Sequence, residues 1–365
     1  MERKAFFAGP ARPALEVLFL LSVTHLFLSA MAAGRQQNLT AIEPTCSDSD
    51  NGTTCTCPEN AAQGVKTGVT PNAFITESKT TVSVQCPANY EFVPGEKAKV
   101  CSVGEDANNL VECKNNPGGE INKLLYPAPE KLPEWSTSGD GQTTNSLTLP
   151  RANLPLSDKK FFVGCLSKAE GEVSRGSNKK SCVVTVQVAA KKSILTENVM
   201  TCAYGTESNT NSETPVATLT SDNNTLTVEC GTEGQLQPSA TASFTAFLCE
   251  KDKCTTSVKL SDVFPNFDEK WLTVDATKGT NTLRIPKEGF PEEDKMIMVG
   301  CSLKTETPGT GRNSATSTAT QPTCKVKVAI SASTTSAASH RISSWSAFAL
   351  GSASLLLSGA YLTSF

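Results

Sequence analysis

Histidine is almost missing from this chain: the only two are His25 and His340, one near each end. That scarcity excludes Ser-His and Cys-His nucleophilic chemistry, which needs an imidazole base, and it removes the commonest metal ligand. No CxxC pair occurs, the closest cysteines being Cys55-Thr-Cys57, whereas zinc sites are built on CxxC or Cys/His clusters. GxxxxGK[ST] and strand-linked GxGxxG are also absent, and Gly309-Thr-Gly311 lies in a polar stretch, so no phosphate or dinucleotide cradle is expected. A net charge of −3 leaves no bulk basic charge for nucleic acid. Carboxylate-pair hydrolysis is the catalytic class that survives, through Asp158 and Asp294. Each sits beside a lysine in a matched setting, which points to a turn or a structural ion pair. The chain reads as a protein without enzymatic activity, cofactor, metal or nucleic-acid partner.

Cysteine, by contrast, is plentiful, with 14 in 365 residues. Without metal spacing, that number implies disulfides and a secretory or extracellular compartment. Both ends agree. Arg3, Lys4 and Arg12 precede the apolar run Val17–Leu28 and the small residues Ser29–Ala33, the order of a signal peptide over 1–33. The run is short for spanning a bilayer. At the other end, 331–365 opens with small residues, including the attachment candidates Ser331, Ser333 and Ser336. His340 and Arg341 follow, and then the uncharged tail Trp345–Phe365. That order signals a glycosylphosphatidylinositol (GPI) anchor on the outer face of the plasma membrane. A transmembrane helix would carry Lys or Arg on its cytoplasmic side.

Between the two ends, one stretch occurs twice. Asn145, Leu147, Pro150, Pro155, Asp158, Lys159, Val163, Gly164 and Cys165 recur 136 positions later as Asn281, Leu283, Pro286, Pro291, Asp294, Lys295, Val299, Gly300 and Cys301. Upstream, Lys123, Leu124, Pro129 and Trp135 match Lys259, Leu260, Pro265 and Trp271 in the same register. Two long copies indicate tandem domains rather than a solenoid. The expected order is an N-terminal extension over 34–56, a first domain over 57–188, a linker over 189–200 and a second domain over 201–330. The linker lacks Gly and Pro, so it reads as semi-rigid, with the domains end to end.

Few aromatics and abundant Thr, Ser and Asn favour β-structure, and the apolar residues alternate. Val82, Val84 and Cys86 share a face, as do Phe161, Val163 and Cys165, and Cys182, Val184, Val186 and Val188. The second domain repeats this with Leu226, Val228 and Cys230; Ile297, Val299 and Cys301; Cys324, Val326, Val328 and Ile330. Side chains alternate across a strand, so these cysteines face the core. Cys101 and Cys113, and likewise Cys249 and Cys254, are close in sequence within polar loops and read as local clips. Cys46 and Cys55 read as a pair of their own. The other four in each domain form core bonds whose arrangement alternation alone leaves open.

Two six-cysteine domains, with TCPEN at the first cysteine, VGC in both domains, TCAYG opening the second and ECG at its second cysteine, resemble the SRS surface antigens. These are the GPI-anchored coat proteins of Toxoplasma and related coccidian parasites. The resemblance runs from about Cys57 to Ile330 and takes in both terminal signals. It implies an all-β fold, two tandem disulfide-bonded β-sandwich domains, with nested bonds. Carried over residue by residue, these are Cys57–Cys182, Cys86–Cys165 and Cys101–Cys113, then Cys202–Cys324, Cys230–Cys301 and Cys249–Cys254. Cys46 and Cys55 depart from the pattern and could compete with Cys57. The resemblance also implies host-cell attachment, recognition by host antibodies and a homodimer through the first domain, with sulfated glycans as a ligand class.

Charge supplies the candidate glycan site. Basic residues concentrate between Arg151 and Lys192, and clustered cations attract sulfated or sialylated glycans. Lys159, Lys160, Arg175, Lys179 and Lys180 are the candidates, and Lys191 and Lys192 in the linker are weaker ones. The alternative is a coat or spacer antigen without a specific receptor, its lysines solvated. Asn38, Asn51 and Asn223 fit the N-glycosylation pattern. Trp135 and Trp271, matched in the repeat, are expected to pack in the two cores.

Overall fold

The computed structural model describes residues 40–59, 72–103, 109–139, 142–168, 179–238, 245–251, 253–304 and 322–333. The signal peptide, the C-terminal signal beyond Ser333, both histidines, Asn38, Arg175 and Ser336 lie outside them.

The first domain runs β1 (Thr40–Ile42), β2 (Thr45–Ser49), β3 (Gly52–Thr56), β4 (Asn72–Ile75), β5 (Thr81–Cys86), β6 (Tyr90–Val93) and β7 (Lys99–Ser102). Helix α1 (Leu110–Asn115) follows, then β8 (Gly119–Glu120), β9 (Ser136–Ser138), β10 (Thr143–Thr148), β11 (Lys159–Ser167) and β12 (Lys180–Val188). One sheet has the order β2-β3-β5-β10-β9; the other is β1-β12-β11-β7-β8, with β4 also on β12 and β6 on β11.

The second domain runs β13 (Ile194–Thr196), β14 (Val199–Thr201), β15 (Val216–Leu219), β16 (Thr225–Glu229), β17 (Gly234–Gln237), β18 (Thr245–Glu250) and β19 (Lys253–Lys259). Then come α2 (Leu260–Val263), β20 (Leu272–Asp275), β21 (Thr280–Arg284), β22 (Lys295–Leu303) and β23 (Cys324–Ile330). Its sheets, β13-β14-β16-β21-β20 and β15-β23-β22-β18-β19 with β17 on β22, repeat the first pattern.

Each core lies between two sheets. In the first, Val82, Val84 and Leu147 of one sheet meet Phe161, Val163, Val184 and Val186 of the other. Burial alternates along β5 and along β23, as period-two patterning requires. Strand β11 breaks the alternation, because its outer face is covered too. Leu110 and Cys113 of α1 pack on Phe162 and Leu166 there. That helix starts where the Asn109 side chain accepts the N–H groups of Val111 and Glu112, as an N-cap should.

The recurring Val-Gly-Cys has a steric cause. A Cβ at Gly164 would lie 2.0 Å from the carbonyl oxygen of Cys182, and one at Gly300 equally close to that of Cys324. Only glycine lets β11 and β22 approach their partners this closely.

Two expected boundaries shift. The segment read as an extension over 34–56 does not stand apart in its described part: β3 pairs parallel with β5, and β1 parallel with β12. The end of the linker read over 189–200 forms the β13–β14 hairpin, and β14 pairs parallel with β16. The two hairpins are equivalents. Cys46 stands opposite Cys55, and Leu195 opposite Met200 at the same place in the second domain. A disulfide in one domain therefore replaces an apolar cross-strand pair in the other.

Candidate functional site

The seven disulfides join Cys46–Cys55, Cys57–Cys182, Cys86–Cys165, Cys101–Cys113, Cys202–Cys324, Cys230–Cys301 and Cys249–Cys254. Cys86–Cys165 and Cys230–Cys301 cross between the sheets, because β5 and β11, like β16 and β22, turn their cysteines to the same core. Cys182 and Cys324 sit beside them on β12 and β23, opposite Cys165 and Cys301 in the ladders. Each therefore reaches the chain entering the domain, at Cys57 or Cys202. Such long closures restrict the unfolded chain by about 2–4 kcal/mol each when isolated, and by less when nested.

The candidate glycan lysines do not form one site. Strands β11 and β12 are antiparallel, with Lys159 opposite Val188 and Leu166 opposite Ser181. Lys159 and Lys160 therefore lie at one end of the ladder and Lys179 and Lys180 at the other, roughly 25 Å away at about 3.4 Å per residue. Nearness in sequence misled here because the hairpin carries its two ends apart. Lys160 is exposed, while Lys179 and Lys180 are half-buried at the end away from the second domain.

Lys159 belongs to the contact between the domains. Its Nζ pairs with Glu233, which also accepts the Ser157 hydroxyl. Burial pushes the Glu233 carboxyl up, but the bonds from Lys159 and Ser157 outweigh it and hold it below the usual carboxylate range. Asp158 accepts the N–H of Ala190 at 2.9 Å through one oxygen, and the N–H and hydroxyl of Thr206, both at 3.0 Å, through the other. Burial pushes its pKa up too, and these donors together bring it below the ordinary value. The Tyr204 N–H donates to the Leu156 carbonyl. Gly231, at φ +67°, lies so close to the Leu156 side chain that a Cβ there would fall 2.3 Å from Cδ1. Lys191 turns inward, donating to the carbonyls of Tyr126 at 2.7 Å and Ala152 at 3.0 Å, and burial lowers its pKa despite Glu229 and Glu77 nearby.

The recurrence of Pro155 and Asp158 as Pro291 and Asp294 follows from the same geometry. Each motif receives the chain leaving the last strand of its domain. Lys191 donates its N–H to the Pro155 carbonyl and Ala190 to Asp158; Ser333 donates to Pro291 and Ala332 to Asp294. The ion-pair expectation for the adjacent lysines takes two forms, Lys159 to Glu233 across the contact and Lys295 to Glu293 locally.

Trp135 is 3% exposed and packs on Phe92, with ring centroids 4.8 Å apart. Trp271 is only partly buried, against Phe264 and Phe267. The two tryptophans match in sequence but not in space. Ser136 stands opposite Ser146 and Thr273 opposite Thr282, so Leu272 holds the place of Trp135. Asn51 and Asn223 are exposed in turns. Ser331 and Ser333 are tied to the second domain through their N–H groups, bonded to Leu219 and Pro291. Among the described residues no group of three or more His, Cys, Asp and Glu could hold a metal ion. None of the described helices is long and apolar enough to cross a membrane.

Comparison with solved structures gives a bradyzoite-specific antigen, BSR4, from Toxoplasma gondii, at 26% identity and a TM-score of 0.55. The match covers 79% of this chain and 98% of that one. Weaker is the Plasmodium falciparum protein Pf12p, at 10% identity and a TM-score of 0.21, covering 71% of this chain and 90% of that one. No curated protein sequence matches. The family model described as the SRS domain of SAG proteins matches residues 51–188 and 198–330. The chain therefore belongs to the SRS-domain family of surface antigens, which are non-catalytic.

Proposed function

We propose that the chain is a GPI-tethered surface antigen that holds its first domain outermost and meets host molecules through the far tip of that domain. The orientation of the two domains carries this reading. The first domain meets Glu233 and Tyr204 of the second through the Pro155–Lys159 end of its sandwich. The chain leaves the second domain at the corresponding end, beside Pro291 and Asp294. There Glu292 and Glu293, both exposed, replace the Leu156 and Ser157 that receive a neighbour in the first domain. Exposed carboxylates favour solvent over another protein surface, so this end suits the tether. With Ser331 and Ser333 held on the domain, the anchor attaches beyond them.

The outward end of the first domain then presents Lys168, Lys179 and Lys180. A sulfated or sialylated glycan is met there by Lys179 and Lys180, and Lys159 and Lys160 take no part. The test is binding of the disulfide-intact chain to immobilised heparin and to sialylated glycans across salt concentrations. Saturable binding that weakens with salt, is lost in Lys179→Ala/Lys180→Ala and is kept in Lys160→Ala supports the tip. Equal binding by wild type and both variants would overturn it, and a coat antigen recognised by antibodies without a glycan receptor would take its place.

A further inference from the structure

The two domains share a topology but do not fill their cores alike. In the first, Phe92 on β6 and Trp135 beside β9 close one side of the space between the sheets. The register of β17 places Leu236 opposite Cys301 where Phe92 stands opposite Cys165, and Leu272 holds the place of Trp135. Two large rings are thus replaced by two leucines. Among the described residues nothing else closes the gap, because Trp271 packs on Phe264 and Phe267. The result is a cleft of about 350 Å³ between the sheets of the second domain.

Burial records the same difference. Val163 is 0% exposed and its counterpart Val299 8%. Asn145 is buried, while Asn281 is half-exposed on the cleft wall. A polar handle has been released as well. The Asn145 side chain accepts the Thr137 hydroxyl at 2.8 Å, and Val274 stands at the place of Thr137. Among the described residues the Asn281 side chain has no hydrogen-bond partner. The walls, including Leu226, Val228, Leu283 and Ile297, are almost wholly apolar. A mostly apolar space of this size, with Gln235, Thr245 and Asn281 as the polar side chains on its wall, has the character of a small-molecule site. Apolar cavities of smaller volume stay dry and take up benzene.

We propose that this cleft binds a small neutral ligand bearing an aromatic ring and one hydrogen-bonding group, with the ring where Phe92 and Trp135 lie in the sister domain and the polar group on Asn281. In the first domain Phe92 and Trp135 fill the corresponding space. The reading is independent of the glycan proposal, which concerns the first domain.

The test uses the disulfide-intact chain and N-phenyl-1-naphthylamine, a neutral aromatic amine whose fluorescence rises in apolar surroundings. The expected result is saturable binding of one equivalent. Leu236→Phe/Leu272→Trp, which restores the sister domain's side chains, should weaken it at least tenfold with an unchanged far-ultraviolet circular dichroism spectrum. If that pair disturbs folding, Leu236→Phe alone should still reduce affinity. Conversely, Phe92→Leu/Trp135→Leu should open the first domain and add a second equivalent. Failure of the wild type to bind saturably, as when other residues of the chain occupy the cleft, would overturn the proposal. So would binding that filling the cleft leaves unchanged.

Discussion

Asp158 is the residue whose removal should uncouple the domains. Its carboxylate holds the N–H of Ala190 just after β12 and, in the second domain, the N–H and hydroxyl of Thr206. Hydrogen bonds to charged groups contribute about 1.5–3 kcal/mol each. They are not additive, and the site is partly open to water, so Asp158→Ala should cost the contact about 3 kcal/mol in total. This loss belongs to the junction rather than to either sandwich, since each sandwich keeps its disulfides. Amide hydrogen exchange reads it directly. Protection of Ala190 and Thr206 should fall by about a hundredfold, the equivalent of such a loss, while the amides of β5, β11 and β22 keep theirs. Small-angle scattering should show a broader distribution of interdomain distances. Asp294→Ala is the internal control: it frees the Ala332 N–H and should leave the junction unchanged. Unaltered protection at Thr206 in Asp158→Ala would refute the reasoning, because it would place the coupling elsewhere.

Acid should act on the same contact. Asp158 and Glu233 both have pKa values held below their ordinary 3.8 and 4.5. Their contribution is therefore complete above those values and lost as pH falls through the lower, folded ones. Scattering between pH 6 and 3 should show the domains uncoupling only below about pH 4, and the change should shrink in Asp158→Ala. In the hairpin clip, Cys46→Ser/Cys55→Ser should cost about 2–3 kcal/mol by loop entropy, read by denaturant unfolding. Cys46→Leu/Cys55→Met, which copies Leu195 and Met200, should recover much of that. Trp135→Leu should cost about 2–4 kcal/mol as a core cavity, whereas Trp271→Leu should cost clearly less, since that ring is partly exposed. Gly164→Ala should prevent the first domain from folding, because the new methyl meets the Cys182 carbonyl, and secretion of the variant would measure that.

What the sequence disclosed, and what it hid, depended on how local each signal was. Alternation of apolar residues put Cys86, Cys165 and Cys182 on the core face, and the structure places all three there. Strands such as β11 and β12 could each be read from the alternation of residues close together. Parallel pairings between distant segments could not. Nothing in Gly52–Thr56 announces that it lies beside Thr81–Gln85, nor in Val199–Thr201 that it lies beside Thr227–Glu229, so an extension and a linker were expected where strands exist. The same blindness to space gathered Lys159 and Lys180 into one cluster, although the hairpin holds them at opposite ends. A one-residue offset near Trp271 keeps the letter of the repeat while changing which side chain enters the core. The pairing of Asp158 and Lys159 was visible as a repeated motif, but its partners, Thr206 and Glu233, have no signature of their own.

The proposed tether and display can be tested together on intact cells expressing the chain with an epitope in the first domain. Phosphatidylinositol-specific phospholipase C should release the whole antigen into the medium, and an antibody to the epitope should label the cells before treatment and not after. An antigen that stays with the membrane after the enzyme, or an epitope hidden from antibody on untreated cells, would contradict the account.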